Sequence, residues 1–345
     1  MAPFVPTQRR ATSPMVARLR NQRAATLWLL SALSAVPGPD SSMAGIESAM
    51  GEASRWRLPK LWSRRRAVVS GPEKQPEEPL DTAACSLPLN DADKVVSCAG
   101  AGIFVFWQLG ALKYISTHFD LSNVTLHGGS AGAVLSTFIA SGVDLNHAVR
   151  VSYDIGMEAR VWDRWNHFGL FGPLIRKWLE ILLPDDAHIR CSNRVRILLT
   201  RVPGFRQQYV SQFATREELI NAVMASVHVP FFLNWKPLKS FRGAYYMDGT
   251  LDDFVTGENS PILGCNGKAF VVDYYEDPKL SFNRLDFLKL KTHKQVLHLV
   301  AYGHRYAREL DMKGGLDPAL QDLRVVPSGE TARAQTHVVR AELKS

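Results

Sequence analysis

Between the runs VTLH and AGAVLSTFIA the chain reads Gly128-Gly129-Ser130-Ala131-Gly132. A GxSxG sequence in that setting describes a strand-to-helix turn too tight for larger side chains. The turn lifts the serine out at the helix N-terminus, where the dipole and free amides favour developing negative charge. Ser130 is thus a candidate nucleophile for acyl transfer, and Gly128 and Gly132 are the small residues of its turn. Earlier, SCAGAG at 97–102 joins a short strand to a helix. Gly100, Ala101 and Gly102 carry so little side chain that backbone N–H groups there can approach a bound oxyanion, the device by which acyl-transfer enzymes hold a tetrahedral intermediate. Dinucleotide binding is the competing use of such a loop. Its spacing is missing, because Val105 stands where GxGxxG needs a third glycine, and no GK[ST] is placed for a P-loop. The third feature is Asp248-Gly249 behind AYYM. Alone it reads as an Asx turn, but beside Ser130 it offers the carboxylate that a hydroxyl nucleophile needs as its base.

Positioning these residues takes alternating strands and helices. Short buried-type strands are expected over 94–98 and 124–127, followed by helices over 103–118 and 131–140. Further strands are expected over 194–200, 208–213, 244–248 and 269–272. Thr215 reads as the N-cap of a helix carrying Glu217 and Glu218 in its first turn, and a late helix is expected over 296–310. This alternation with short connections specifies a mostly parallel sheet covered by helices.

Hydrophobic residues make up 46% of the 345 residues and charged ones 21%, which suits a globular core and excludes disordered, collagenous and disulfide-scaffold chains. The net charge of +8 is carried by the first 66 residues, where eleven Lys and Arg face three Asp and Glu. The rest is balanced and gives no basic surface for nucleic acid. Residues 1–39 hold no acid, five arginines and many Ser, Thr and Ala, the composition of an organelle transit peptide for plastid or mitochondrion. The apolar run AATLWLLSALSAV within them is too short to span a bilayer. Residues 40–92, with Arg64-Arg65-Arg66 and GPEKQPEEPLD, read as a flexible linker. The folded domain is expected over 93–313, with 314–345 as a tail. Cys85, Cys98, Cys191 and Cys265 have neither metal-site spacing nor disulfide-framework density, and read as free thiols in a reducing compartment. The sequence is silent on oligomeric state.

With these motifs in order, the chain resembles the patatin-like phospholipases and lipid acyl hydrolases. The stretch FATREELINAVMASVHVPFF followed by FRGAYYMDG is similar to the segment that leads such enzymes into their aspartate. The resemblance implies a three-layer α/β/α fold, and a Ser130–Asp248 dyad with no catalytic histidine. It further implies an oxyanion loop at Gly100, Ala101 and Gly102, a glycerolipid substrate at a membrane or lipid-droplet surface, and no obligatory cofactor or metal. Two positions depart from the family pattern. The loop GGGx[RK]G is GAGIFV here, with Phe104 where a cation is usual and Val105 where glycine is, and DG[GA] becomes DGT at Thr250. Main-chain donors survive such changes, while loss of the cation points toward a neutral lipid or an impaired site.

Two rival readings use other features. A Ser–His–Asp esterase would recruit His293, His298 or His304, which follow Asp248 in the chain order of such triads. A non-catalytic lipid-binding protein would keep the fold with an impaired loop. Phe104, Phe106, Trp107 and the aromatic-rich stretch 161–183 suit an acyl channel, a membrane-facing surface or plain core. Replacing Trp162 and Trp165 would separate these uses. His127, at the end of a buried strand, is assigned to packing.

Overall fold

The computed structural model describes residues 94–164, 169–251, 253, 262–280 and 289–325. The leader, the linker, Cys85, Trp165 and residues 326–345 lie outside the described residues. In chain order the elements that build the site are β1 (Val95–Cys98), α1 (Val105–His118), β2 (Thr125–Gly129), α2 (Ala131–Ser141) and α3 (Leu145–Glu158). They continue with α4 (Phe171–Leu182), α5 (Ala187–Cys191), β3 (Val195–Val202), β4 (Arg206–Val210), α6 (Arg216–Ser226), β5 (Lys239–Phe241) and β6 (Ala244–Met247). The last are β7 (Phe270–Val272), α7 (His293–Met312) and α8 (Asp317–Leu320).

One sheet runs in the order β5-β6-β3-β2-β1-β7, with β4 also paired to β3. β7, β1, β2 and β3 are parallel, whereas β4 and β6 run antiparallel to β3. β4 pairs with residues 197–201 of β3. A strand has only two edges, so β2 and β6 must share the other one. β2 takes residues 195–198, ending with Gly129 opposite Leu198, and β6 takes 200–202, ending with Met247 opposite Thr200. The two strands therefore run toward each other and stop on either side of Leu199.

The helices follow from their residues. α2 is built from small and apolar side chains and is buried along nearly its whole length against β1, β2 and β3. α6 starts at Thr215, whose hydroxyl accepts from Glu218 N at 3.1 Å, and packs on β3, β5 and β6. α7 opens with a capping box between Thr292 and Gln295. It lies directly on α1, where Gly110 and Gly303 bring the two backbones into contact: a Cβ at Gly303 would stand 1.8 Å from Trp107 O. The helix-covered face of the sheet carries the main core, including Val96, Leu126, Ile197 and Leu199. On the opposite face a small cluster of Ala99, Leu198, Tyr209 and Leu263 lies beside buried Ser97 and His127. Residues 314–325 pack back on the body, with Val325 N donating to His118 O and Arg324 paired to Asp311. Cys98, Cys191 and Cys265 are not in disulfides. Among the described residues no helix is long and apolar enough to cross a membrane.

Candidate active site

Ser130 follows the last residue of β2, and Asp248 the last residue of β6, so the head-to-head strand ends deliver them to one place. Ser130 Oγ donates to Asp248 Oδ2 at 2.5 Å across 118 residues of sequence. Ser130 is forced to φ 53° and ψ −128° at the start of α2, a strained backbone for a residue with a side chain. The turn is possible because Gly132 lies against β1: a Cβ there would stand 2.0 Å from Cys98 O. Gly128 pairs with Cys98 and Ile197 inside the sheet, and Gly249 lies equally close to Leu198 O.

The groups around the pair hold it from several sides. Ser226, at the end of α6, accepts from Ser130 N at 2.9 Å and donates to Leu198 O at 2.7 Å. Asp248 N donates to His228 O, and Thr200 Oγ1 donates to Asp248 O. Asp248 Oδ1 accepts from both Thr250 N and Thr250 Oγ1 at 2.9 Å. Burial pushes the Asp248 carboxyl up from its ordinary 3.8 to about 6, against the lowering effect of the hydrogen bonds from Ser130 and Thr250. The carboxyl is therefore ionised near neutral pH and close enough to that range to exchange a proton.

Ala99 N is tied to Val272 O, and the buried Gln108 amide donates to Ala99 O and Val272 O. Beyond this anchor Gly102 turns to φ 51°. The N–H groups of Gly102, Ile103 and Ala131 make no hydrogen bond to another backbone group among the described residues, and they belong to the first turns of helices, where such donors are left over. Gly102, Ile103, Ser130 and Ala131 border a cavity of about 190 Å³. Its walls are apolar, with Phe106, Val134, Leu174 and Trp178 among them. The pieces available are a serine on a carboxylate, free amides beside it, and an apolar hole large enough to begin accepting a hydrocarbon chain.

In comparison with known proteins, residues 96–263 match the profile described as patatin-like phospholipase. Residues 96–263 are thus similar to that family. It is 30% identical over 211 residues to the Homo sapiens 1-acylglycerol-3-phosphate O-acyltransferase PNPLA3, covering 56% of this chain and 42% of the relative. It is 32% identical over 170 residues to the Homo sapiens patatin-like phospholipase domain-containing protein 2, covering 46% and 32%. It is 29% identical over 168 residues to the Homo sapiens omega-hydroxyceramide transacylase, covering 46% and 31%. The chain thus spans less than half the length of these relatives. The three-layer α/β/α class expected from the sequence is the patatin fold, and the mostly parallel mixed sheet accords with it.

Against the patatin-like pattern, both departures have a place in the structure. Thr250 packs tightly on two glycines: a Cβ at Gly100 would stand 2.0 Å from its Oγ1, and one at Gly129 2.3 Å from its Cγ2. Val105 sits at φ −47°, ψ −33°, an ordinary helical backbone at the start of α1, so its branched side chain strains nothing. Phe104 is fully buried and stacks on Tyr274 at 4.5 Å. Lys291 Nζ stands 5.9 Å from the centre of its ring, so a cation reaches the loop from a distant segment.

The stretch 161–183 divides. α4 contributes Phe171, Leu174, Ile175 and Trp178 to the cavity wall, and Trp162 joins them, with its Nε1 donating to Lys291 O at 3.0 Å. Among the described residues no histidine side chain hydrogen-bonds to Ser130 or Asp248. The His293 ring lies tilted against Tyr153 with centroids 3.9 Å apart and lines the cavity, His298 neighbours Tyr302, and His304 meets Tyr114 edge-on. Burial drives His127 down to about 3, and its Nδ1 lies 3.1 Å from both Tyr209 OH and Cys265 Sγ. No cluster among the described residues is suited to a metal ion. Sequence reasoning missed Ser226, Thr200 and Gln108. The one signal for Ser226 is a polar residue closing the apolar run NAVMA.

Proposed function

We propose that this protein cleaves fatty-acyl esters of glycerolipids through an acyl-enzyme on Ser130, with Asp248 as the base, taking its substrate from a membrane or lipid-droplet surface. The observation that carries the reading is the 2.5 Å Ser130–Asp248 hydrogen bond at the wall of an apolar cavity. Asp248 accepts the Ser130 proton as Oγ attacks the ester carbonyl carbon. The carbonyl oxygen becomes an oxyanion and is held by main-chain N–H groups of the Gly100, Ala101 and Gly102 loop and its neighbour Ile103. Collapse expels the alcohol, which takes the proton from Asp248, and leaves the acyl group on Oγ. Water then loses a proton to Asp248, attacks the acyl carbon and releases the fatty acid, and Ser130 recovers its proton. The same acyl-enzyme serves a lipid alcohol as acceptor, as the names of the acyltransferase and transacylase relatives suggest.

The test is fatty-acid release from phosphatidylcholine, monogalactosyldiacylglycerol and trioleoylglycerol, together with fluorophosphonate labelling, for wild type and Ser130→Ala. Release and labelling that both vanish in the variant support the reading. Absence of labelling in folded wild-type protein refutes it and favours the lipid-binding alternative. Loss of activity in His293→Ala with its cavity intact would restore the triad reading.

A further inference from the structure

Gln108 is fully buried early in α1, and its Oε1 makes no hydrogen bond among the described residues. An acceptor orphaned in such a place costs stability. Turning the amide over would not recover it, because Oε1 would then face the carbonyl oxygens of Ala99 and Val272, which accept from Nε2 at 2.8 and 2.9 Å. The side chain is thus committed to two carbonyls at the ends of β1 and β7, at the expense of its own oxygen. Those carbonyls lie where the Gly100, Ala101 and Gly102 loop leaves the sheet. The Ala99–Gly100 peptide is trans and planar, so holding Ala99 O toward Gln108 turns Gly100 N–H the opposite way. Gly100 lies against Thr250, where a Cβ would stand 2.0 Å from Oγ1, and that hydroxyl donates to Asp248 Oδ1. Gly132 of the nucleophile turn leaves room for Ala99 O, since a Cβ there would stand 2.8 Å from it. The root of the loop is therefore held between α1 on one side and the Ser130 turn and Asp248 on the other, and Gln108 makes the hold from α1.

We propose that Gln108 is a positioning residue for the oxyanion: by fixing the Ala99–Gly100 peptide it sets where the main-chain donors of the loop stand relative to Ser130 Oγ. It touches neither the substrate nor the reacting atoms. The inference rests on the proposed function, since it needs a tetrahedral intermediate at Ser130. Without the side-chain amide, Ala99 O is buried with no donor, and its peptide gains by rotating toward one. That rotation carries Gly100 N–H with it and spreads the loop over several orientations. Donors of this kind work because they are already in place when the charge develops, so the cost falls on the transition state and leaves substrate binding alone.

The experiment compares full-length wild type, Gln108→Met and Gln108→Glu on p-nitrophenyl butyrate and on its thionoester, in which sulfur replaces the carbonyl oxygen. A sulfur anion accepts hydrogen bonds weakly, so the rate on the ester relative to the thionoester reads the oxyanion contacts themselves. Gln108→Met keeps the length of the side chain and donates nothing. It is expected to lower kcat on the ester about a hundredfold, with KM unchanged and most of the preference for the ester gone. Gln108→Glu retains one donor while burial keeps its carboxyl protonated, and falls between Gln108→Met and wild type. A wild-type preference for the ester in both variants overturns the positioning role, even where kcat falls, and reduces Gln108 to packing. Where Gln108→Met does not fold, Gln108→Glu decides by the same ratio. Fluorophosphonate labelling of wild-type Ser130 separates the two readings. Folded wild type that neither labels nor turns over the ester overturns the proposed function and the role of Gln108 together, whereas labelled wild type with an unchanged ratio in the variants overturns the role of Gln108 alone.

Discussion

Ser130 and Asp248 stand on strand ends where the surrounding polar groups are paired and little can shift, while the cavity beside them is walled by α1, α3, α4 and α7 through apolar contact. The first region specifies geometry atom by atom, and the second specifies volume. A substitution in the first should therefore change chemistry for every substrate. One in the second should change which acyl chain is accepted and leave the reactivity of Ser130 intact.

The severest break comes from the pair itself. Ser130→Ala and Asp248→Asn are each expected to lower kcat by about a thousandfold or more, since groups acting as a unit fail together. Steady-state fatty-acid release measures this, and an additive double variant would show that the two do not act as one.

Asp248→Asn should also separate activity from stability. Below pH 3.8 the carboxyl is protonated in both folded and unfolded chains, and its ionisation costs the fold nothing. As pH rises from 3.8 to about 6 the unfolded chain ionises first, so stability drains, and above about 6 the full cost is present. That cost is on the order of 3 kcal/mol, less what the amide loses at Ser130 and Thr250. Thermal melts across pH are expected to show the variant more stable above pH 6 and level with wild type near pH 4. Equal melting temperatures at all pH values would mean that the carboxyl is better solvated than its burial implies.

Thr250 sharpens the comparison further. Thr250→Val keeps the wedge against Gly100 and Gly129 but removes one donor to Asp248 Oδ1. Since that bond favours the ionised carboxyl, its loss raises the pKa, and the acidic limb of the pH–rate profile should move up by about one pH unit. The shift lowers kcat about twofold at pH 7 and about tenfold well below pH 6, with Thr250→Ser restoring the wild-type limb. An unmoved limb would reduce Thr250 to packing. The mildest effect belongs to the cavity: Leu174→Phe should lower kcat/KM for long-chain esters by about fivefold and leave a short-chain ester and fluorophosphonate labelling unchanged.

What was legible in the sequence divides along the same boundary. β1, β2 and α2 show as short apolar runs broken by glycine, and the motifs that point to Ser130, Asp248 and the loop lie within a few residues of such breaks. The partners that orient these residues arrive from elsewhere in the chain. Ser226 sits at a helix end, Thr250 reads as a mere departure from DG[GA], and Lys291 meets Phe104 only because α7 lies on α1. Lys291 stands 5.9 Å from the centre of the Phe104 ring, a neighbour that no local pattern could reveal. Strand direction was hidden as well, since AYYM carries no mark that it will run against β3.

The shared edge of β3 has a consequence for how the protein fails. Asp248 is carried by a strand registered to β3 at only residues 200–202, with the three-residue edge strand β5 outside it and an exposed Arg242-Gly243 turn joining them. Such a hairpin can open locally at a free energy below that of global unfolding. Opening carries the carboxylate off while β1, β2 and α2 stay packed. Heat should thus silence the protein before it melts, with inactivation reversible as long as the rest of the sheet holds.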